Sequence, residues 1–523
     1  MNTFKPAPGH QPSLWEHTFT APSFAPLEGS ITVDVCVVGA GMAGLSVAYE
    51  LASAGYSVAV VEAGTLGGGM TARTTAHISN ALDDRYSAIE RVLGPENARL
   101  AAQSHTAAIE RIARIVRDEQ IDCDLEHVDG FLFNPPREKV EVLQDEYNAA
   151  QRAGVNVEWE TRVPFTGWNT GPALRFMGQA QFHPVKYLAG LAGAIQRRGG
   201  RIFTGTRATR MKGGDIAVIE TDAGHIVKAW HLVVATNTPV NDRFVIHTKQ
   251  ASYNTSVIAL RCAPGFAPRF LMWDTSQKAG ETDSYHYIRS WHDAGGDFLI
   301  VGGEDHKTGQ DKDPEAAFLA LEDWTRARFP DAGKIEYRWA GQVFEPLDGM
   351  AFIGRNPSDD VNVYVATGDS GNGITHGAIA GMLISNLIRD QLNPWESLYD
   401  PGRIIAKTIP DFLRENLNVV AQLRDYATPG DVSSAENVRP GTGAVIRDGV
   451  HKLAVFRDDD GTLHRHSAVC PHLKCIVRWN SAERTWDCPC HGSRFDAYGK
   501  VIMGPANSDL EAVDQTVMEP AVH

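Results

Sequence analysis

The sequence predicts an α/β domain at its N-terminal end and a small all-β domain at its C-terminal end. The chain has 523 residues, and at roughly 100–200 residues per domain it should form about two to four domains. Residues 31–62 read as a buried strand, a glycine-rich loop, a helix and a second buried strand. From about residue 435 onward, short strand-like stretches separated by Asp and Gly turns predict a β-rich fold.

The N-terminal element is a candidate dinucleotide site. The loop GAGMAG stands between the strand VDVCVV and the helix LSVAYELASAG, and the second strand ends at Glu62. In this setting the three glycines permit a tight turn, a close approach of the backbone to a pyrophosphate, and close packing of helix on strand. The helix N-terminus favours phosphate, and a carboxylate at the strand end can bind ribose hydroxyls. A glycine-rich turn without a ligand is the alternative. The predicted binding residues are Gly39, Gly41, Met42, Ala43, Gly44, Glu62 and Ala63.

The composition limits the partners. A net charge of −15 argues against nucleic acid or an anionic membrane as the main partner. The sequence has no run of about 18 apolar residues, so no membrane span is expected. Its first residues lack the basic start and apolar core of a secretory signal. We therefore expect a cytoplasmic protein with a small-molecule substrate, whose oligomeric state the sequence does not indicate.

Later segments distinguish FAD from NAD as the dinucleotide. GGGMTARTTAHIS is a glycine-rich loop after the second strand, and HLVVATNTP is an apolar strand that runs into a small polar turn. VNVYVATGDSGNGITHGAIAGMLISNLI resembles the C-terminal flavin segment of the D-amino-acid oxidase and glycine oxidase superfamily. QFHPVKYLAGLAGAIQRRGGRIFTGTRATRM resembles that family's helix and following strand. The resemblance covers roughly residues 31–395 and implies FAD.

The resemblance also implies where FAD would lie. Arg73, Thr74, Thr75, Ala76 and His77 would follow the flavin, and Ala208 would meet the adenine through its backbone. The remaining implied contacts are Ala235 and Thr236 near the diphosphate, and Gly371, Gly373, Ile374 and Thr375 at the pyrimidine carbonyls. The middle of the chain has no second GxGxxG with a strand before it, so the electrons should come from an organic substrate rather than from NADH.

Two C-terminal segments, CPHLKC and CPCHGS, hold four of the seven cysteines. They offer the pairs Cys470 with His472 and Cys488 with His491. Two thiolates and two imidazoles indicate a metal site, and a tetrahedral zinc ion could use this set. One further cysteine in each segment, Cys475 and Cys490, indicates a disulfide between the two loops. A plain disulfide scaffold is a third possibility, although disulfides are rare in the cytosol.

This pattern closely resembles the Rieske [2Fe–2S] domain. The resemblance implies that Cys470 and Cys488 bind one iron, that His472 and His491 bind the other, and that Cys475 and Cys490 form the disulfide. Ser493 matches a serine that hydrogen-bonds the cluster in high-potential relatives, whereas Phe495 stands where those relatives have a tyrosine. Hydrogen bonds to cluster sulfur stabilise the reduced state, so we expect a potential below the respiratory type.

Residues 251–345 should form a sheet that faces the substrate. The alternation in SYHYIRS puts Tyr285, Tyr287 and Arg289 on one strand face. Val343 stands where amino-acid oxidases of the superfamily place a carboxylate-binding arginine, which weighs against an α-amino-acid substrate. No catalytic residue is assigned. The candidates to line the substrate pocket are His77, Tyr285, Tyr287, Arg289, His306 and His376.

Nearly the whole chain resembles bacterial proteins that join a glycine-oxidase-like module to a C-terminal Rieske domain. This implies an α/β flavin-binding domain, Rossmann-like and of glycine oxidase type, with an antiparallel-sheet substrate domain and a C-terminal all-β Rieske domain. The implied boundaries are an N-terminal extension at 1–30, an FAD-binding domain at 31–118, 182–250 and 346–395, a substrate domain at 119–181 and 251–345, a helical linker at 396–434, and the Rieske domain at 435–523.

The predicted function is an FAD-dependent oxidoreductase, similar to amine or amino-acid oxidases and dehydrogenases. Its substrate would be an amine or an N-substituted amino compound that gives hydride to FAD. Electrons would then pass singly through the Rieske cluster to an external acceptor, a protein or oxygen. Two alternatives stay open. One is a simple oxygen-using flavin oxidase with a structural or regulatory Rieske domain, and the other is a redox sensor or electron-carrier module.

Overall fold

The computed structural model describes residues 11–135, 139–165, 167–241, 246–276, 285–311, 313–357 and 359–513. The predicted N-terminal extension and Rieske domain reach into residues 1–10 and 514–523, which lie outside the described residues.

The glycine-rich loop follows a central strand of a mostly parallel sheet. Ile31–Val38 pairs in parallel with Val58–Val61 on one side and Ile226–Val234 on the other. The carboxyl ends of these strands meet at one edge, which is where open α/β sheets bind ligands. The strand order is Phe352–Arg355, Val363–Thr367, Ile226–Val234, Ile31–Val38, Val58–Val61 and Arg201–Phe203, and Ala208–Lys212 and Ala217–Thr221 extend it beside Ile226–Val234.

The structure contains a second large sheet. Nearly all its neighbouring strands are antiparallel, and Leu271–Asp274 with Glu126–Phe133 is a parallel pair. The predicted antiparallel substrate sheet is therefore confirmed. His77–Ile78 pairs with this sheet, although the sequence assigns it to the first domain. The order is Ile335–Pro346, Gln250–Cys262, Gly296–Lys307, His286–Asp293, Leu271–Asp274, Glu126–Phe133, Ala173–Gln181 and His77–Ile78, with Val157–Glu160 beside Ala173–Gln181.

The helix after the glycine loop, Met42–Ser53, packs closely against Gly373–Ile388. A Cβ atom on Gly377 would lie 2.5 Å from Met42 Cγ, and one on Gly381 would lie 2.8 Å from Ser46 Cβ. Glycine is therefore required at this crossing. The other α-helices are Leu14–Thr18, Tyr86–Leu93, Pro95–Glu119, Val140–Ala153, Pro184–Arg197, Pro314–Arg328, Glu396–Tyr399 and Ile409–Gln422.

Short 3₁₀ helices occur at Met70–Arg73, His247–Lys249, Ala406–Thr408, Leu423–Tyr426 and Ala435–Asn437. Within the described ranges, no helix combines the length and the apolar character needed to cross a bilayer.

The C-terminal region is built from antiparallel strands, which confirms the all-β prediction. One sheet contains Thr442–Asp448, His451–Arg457 and Leu463–Ser467, and another contains Arg478–Asn480, Thr485–Asp487, Arg494–Phe495 and Val501–Met503. Phe456, Trp486 and Phe495 are fully buried between the strands, and Cys470 and Cys488 belong to the same core. The two cysteine-rich loops are thus fixed by a rigid apolar core.

Candidate functional site

A cavity of about 1230 Å³ opens at the carboxyl edge of the first sheet. Ordinary ligand pockets measure roughly 300–1,000 Å³, so this one has room for a dinucleotide together with a substrate. Of the predicted cofactor residues, Gly44 and Ala76 do not line the cavity. The others line it, namely Gly39, Gly41, Met42, Ala43, Glu62, Ala63, Arg73, Thr74, Thr75, His77, Ala208, Ala235, Thr236, Gly371, Gly373, Ile374 and Thr375.

The glycine loop fits a dinucleotide on steric grounds. Gly39 has a φ of +108°, and a Cβ atom there would lie 2.3 Å from Ala235 O. A Cβ atom on Gly44 would lie 1.9 Å from Gly39 O, so the helix can approach the loop only because this residue is glycine. The helix N-terminus at Met42 therefore faces the cavity with its first amides.

Glu62 holds the neighbouring turns in place. Its carboxylate accepts hydrogen bonds from Ala40 N at 2.8 Å and from Gly64 N at 2.7 Å. Burial raises the pKa of Glu62, and these amide bonds act in the opposite direction. Sequence reasoning missed Thr71, whose Oγ1 accepts from Met42 N at 3.0 Å at the same cavity wall.

The substrate sheet contributes two tyrosines to the cavity. Tyr285 Oη donates to Asp83 Oδ1 at 2.8 Å, and Tyr287 Oη lies 2.7 Å from Thr255 Oγ1. Burial raises the pKa of both phenols well above the usual range, so both side chains are neutral. The alternation of the strand therefore predicted the direction of these two side chains.

His77 lies beside the tyrosines at the same wall. Its Nδ1 is 3.0 Å from Thr75 Oγ1, and its Nε2 is 3.3 Å from Ile288 O. Burial, with a contribution from Arg289, lowers the pKa of His77 to about 3, so the ring is neutral at physiological pH. Its ring centroid is 5.4 Å from that of Trp273, which also lines the cavity.

Asp369 is a half-buried carboxylate residue that sequence reasoning missed, although it lies in the GDSGNG turn. Burial raises the pKa of Asp369 to about 7, and the nearby Glu345 and Asp83 carboxylates act in the same direction. Next to it, His376 Nδ1 bonds the Asp369 carbonyl at 2.9 Å, and burial lowers the pKa of His376 to about 4. Both His376 and Asp369 line the cavity.

Four carboxylate residues that lie near one another form an acidic wall on the side of the cavity that holds Tyr285 and Tyr287. The neutral residue Val343 also lines the cavity. The carboxylate residues that line this side are Asp83, Asp305, Glu345 and Asp369.

Arg289 lies outside the cavity lining. It is fully buried, and its guanidinium donates to the carbonyls of Thr75, Ala76 and Phe182 at 2.9, 2.9 and 3.0 Å. Burial lowers the pKa of Arg289 to about 9. The guanidinium therefore stabilises the backbone that precedes His77, and it is not available to bind a substrate carboxylate.

His306 also lies outside the cavity lining. Its Nδ1 is 3.2 Å from Glu304 O and 4.0 Å from an Asp311 carboxylate oxygen. The preceding residue, Asp305, reaches the cavity instead. Glu304 has a φ of +57°, a left-handed conformation that a sequence pattern of simple alternation does not anticipate.

Arg73, predicted to follow the flavin, lines the cavity but directs its guanidinium towards the C-terminal domain. It donates to Glu483 Oε1 at 2.7 Å and to Ala340 O at 2.6 Å. Glu483 also pairs with Arg494, which reaches Asp487 Oδ1 at 3.0 Å. These four charged side chains are buried, so the two domains share one ion network.

A disulfide between Cys475 and Cys490 joins the two cysteine-rich loops, as predicted. The sulfur atoms of these two residues and of Cys488 lie within 4.8 Å of one another. Because a disulfide has no thiolate to give, Cys475 and Cys490 are excluded as metal ligands.

The remaining Cys and His side chains of the loops fit a metal cluster. Cys470 and Cys488 are buried, and the rings of His472 and His491 lie with centroids 5.1 Å apart. His491 Nδ1 is a buried nitrogen with no hydrogen-bond partner among the described residues. The two thiols and two imidazoles of these loops match a donor set of two sulfurs and two nitrogens.

These loops contact the FAD-binding side of the molecule. The ring of His247 lies 5.0 Å from that of His472 and 6.1 Å from that of His491. Gln342, which lines the cavity, donates through Nε2 to Gly492 O at 2.7 Å. Neither contact was predicted, because each joins segments that are far apart in sequence.

Comparisons with known proteins give two family matches. The model of the FAD dependent oxidoreductase family matches residues 34–387, and that of the Rieske [2Fe-2S] domain matches residues 428–514. The Rieske 2Fe-2S iron-sulfur protein YhfW of Bacillus subtilis is 30% identical over 503 residues, which cover 96% of this chain and 97% of that protein. Gamma-glutamylputrescine oxidoreductase of Escherichia coli is 30% identical over 396 residues, 72% of this chain and 90% of that protein.

A solved structure shows the same fold for the N-terminal part of the chain. Glycine oxidase from Geobacillus kaustophilus superposes with a TM-score of 0.59 at 20% identity, covering 72% of this chain and 100% of that chain. The family matches confirm FAD and a [2Fe–2S] cluster as the cofactors. They exclude the zinc site and the plain disulfide scaffold that the cysteine spacing left open.

Proposed function

The chain belongs to the FAD dependent oxidoreductase family and carries a Rieske [2Fe-2S] domain, and from this premise we propose that it oxidises a cationic amine and passes the electrons to a one-electron acceptor protein. The substrate loses a hydride and a proton and becomes an imine. Two acceptor molecules each take one electron, and the protons go to solvent. When bound, FAD accepts the hydride and the cluster carries one electron at a time.

The observation that carries this proposal is the contact of the predicted cluster ligands with His247. Its Nδ1 lies 3.3 Å from Thr238 Oγ1, and Gln250 Nε2 donates to that oxygen at 3.3 Å and to Thr367 Oγ1 at 3.4 Å. Thr367 lines the cavity. A continuous row of bonded and packed side chains therefore connects the cavity with His472. A purely structural Rieske domain would not require its ligand histidines at this contact.

The acidic wall supports an amine as the substrate. Asp369, with a pKa of about 7, is suited to accept a proton from a substrate ammonium at neutral pH. His77 and His376 are neutral and can position the substrate without repelling it. Similarity to the gamma-glutamylputrescine oxidoreductase agrees with an amino-bearing substrate. We retain the cytoplasmic location that the sequence predicts.

The test is an anaerobic reduction of the holoenzyme by a panel of primary amines, diamines and N-alkyl amino acids. Flavin absorbance and the Rieske EPR signal are followed together, and cytochrome c serves as the probe acceptor. We expect flavin bleaching to precede cluster reduction. His491→Ala should leave bleaching intact and abolish cytochrome c reduction. His464→Ala is the matched control, because His464 Nε2 bonds Asp458 within the same domain at 3.0 Å.

Two results would contradict the relay. Stoichiometric peroxide formed at equal rates by the wild type and His491→Ala identifies a simple oxidase. If no compound of the panel bleaches the flavin while a partner protein reduces it, the chain is an electron carrier without a substrate of its own.

A further inference from the structure

We propose that residues 494–507 of the C-terminal domain form the outer wall of the FAD site, so that the retention of FAD depends on the cluster-bearing domain. This inference concerns binding and holds whether or not electrons pass between the two cofactors. It starts from the cavity. The wall that contains Gly39, Glu62 and Ala235 is completed by side chains of this C-terminal segment, among them Met503 and Asn507.

Asn507 covers the end of the cavity where the adenine is expected. Its Nδ2 donates to Ala208 O and to Thr209 O, at 3.1 Å each. Ala208 is the residue whose backbone would meet the adenine, as the resemblance to the glycine oxidase superfamily implies. The amide of Asn507 therefore fixes the C-terminal domain against the strand that should border the adenine.

Met503 extends the wall towards the glycine-rich turn. Its Sδ accepts from Asn237 Nδ2 at 3.8 Å, and its Cε would lie 3.9 Å from a Cβ atom placed on Gly69. Nearby, Arg207 donates to Val501 O at 3.1 Å. The wall thus spans from the adenine side to residues 67–69.

The segment is held firmly at both ends of this contact. Arg494 is 2% exposed and shares Glu483 with Arg73 of the FAD-binding domain. Ala506 N donates to Ser493 Oγ at 3.0 Å, which ties the wall to the loop of the predicted ligand His491. The wall is anchored to both domains, so its displacement requires these contacts to break.

The experiment measures FAD release from the purified holoenzyme. On dilution, free FAD is detected by its fluorescence, and the Rieske EPR signal reports whether the C-terminal domain is intact. Asn507→Ala should accelerate release about tenfold, the factor expected for the loss of one to two hydrogen bonds. Met503→Ala, which opens the wall by truncation, should accelerate it in the same direction.

Asn437→Ala is the matched control. Asn437 lies in the same domain, and its Nδ2 bonds Ser433 Oγ at 2.9 Å, away from the cavity. Its release rate should stay within about twofold of the wild type, as for ordinary surface substitutions. Equal release from the wild type and Met503→Ala, with intact Rieske signals, overturns the proposal. If Asn507→Ala loses its Rieske signal, the FAD release rate of Met503→Ala alone tests the proposal.

Discussion

The imidazole of His247 packs edge-on against that of His472, with ring centroids 5.0 Å apart and an interplanar angle of 78°. His247 is 3% exposed and comes from the short helix that precedes the substrate sheet. His472 comes from the first cysteine-rich loop. The predicted cluster ligand His472 therefore packs against the part of the chain that matches the FAD dependent oxidoreductase family.

His247→Ala should weaken this contact. Truncation of a buried ring leaves a cavity, and we expect it to lower the free energy of unfolding by about 2–4 kcal/mol. It should also slow cluster reduction by substrate while flavin bleaching keeps its rate. Stopped-flow absorbance with rapid-freeze EPR measures both steps. His247→Phe fills the same space, so it should recover stability, and cluster reduction at the wild-type rate in His247→Ala would exclude this route.

Glu483→Gln tests the ion network between the domains. Glu483 is 2% exposed between Arg73 and Arg494, and its loss leaves two buried guanidinium groups short of a counter-charge. We expect the variant to lose about 3–5 kcal/mol of stability in denaturant unfolding. Glu511→Gln, at an exposed position of the same domain, should leave stability unchanged. Equal losses in both variants would show that the network contributes nothing specific.

The same residue predicts a dependence of stability on pH. Burial alone would raise the pKa of Glu483, but the Arg494 and Arg73 guanidinium groups hold it at about 2. A depressed native pKa means that the contribution is complete above the unfolded value of about 4.3 and is lost as pH falls towards 2. Thermal unfolding should show that the stability of the wild type falls as pH decreases from about 4.3 towards 2. The stability of Glu483→Gln should fall less over the same range.

Local sequence patterns predicted the identity of the cofactors, but they did not predict the contacts between the domains. Gly39 and Gly44 lie five residues apart, and the cysteines and histidines of each loop are near neighbours, so their spacing alone carries the geometry. Arg73 and Glu483 are separated by 410 residues. The strand alternation places Arg289 on the same face as the two tyrosines. Its guanidinium, however, donates hydrogen bonds to three backbone carbonyls and does not line the cavity. Such choices depend on tertiary packing, which no local pattern records.

Phe495→Tyr tests the predicted low potential of the cluster. Phe495 is fully buried in the core that also contains Cys470 and Cys488. A hydroxyl at this position can donate a hydrogen bond towards the cluster sulfur atoms, which stabilises the reduced state. The midpoint potential should therefore rise, as followed by EPR during a redox titration. Phe456→Tyr, in the same core, is the control. An unchanged potential in Phe495→Tyr would mean that position 495 does not set it.

Asp369→Asn tests the role of the acidic wall and its pH dependence. Because the pKa of Asp369 is raised to about 7 by burial, the side chain is neutral below pH 7 and anionic above it. The Asp369 carboxylate therefore attracts a substrate ammonium more strongly as pH rises. In the wild type, KM for an amine should decrease as pH increases from below 7 to above 7. Asparagine cannot ionise, and the variant should keep a high, flat KM. Its stability at pH 8 should increase, since it no longer buries a charge.

Asp390→Asn is the matched control for this substitution. Asp390 is exposed and has a φ of +51°, a conformation that asparagine also tolerates. Its pH profile should follow the wild type. If Asp369→Asn kept the fall of KM near pH 7, the ionising group would be another residue. If its stability rose while its KM profile stayed unchanged, Asp369 would be a carboxylate residue that does not contact the substrate. Steady-state kinetics at several pH values, with unfolding curves of the same samples, separates these outcomes.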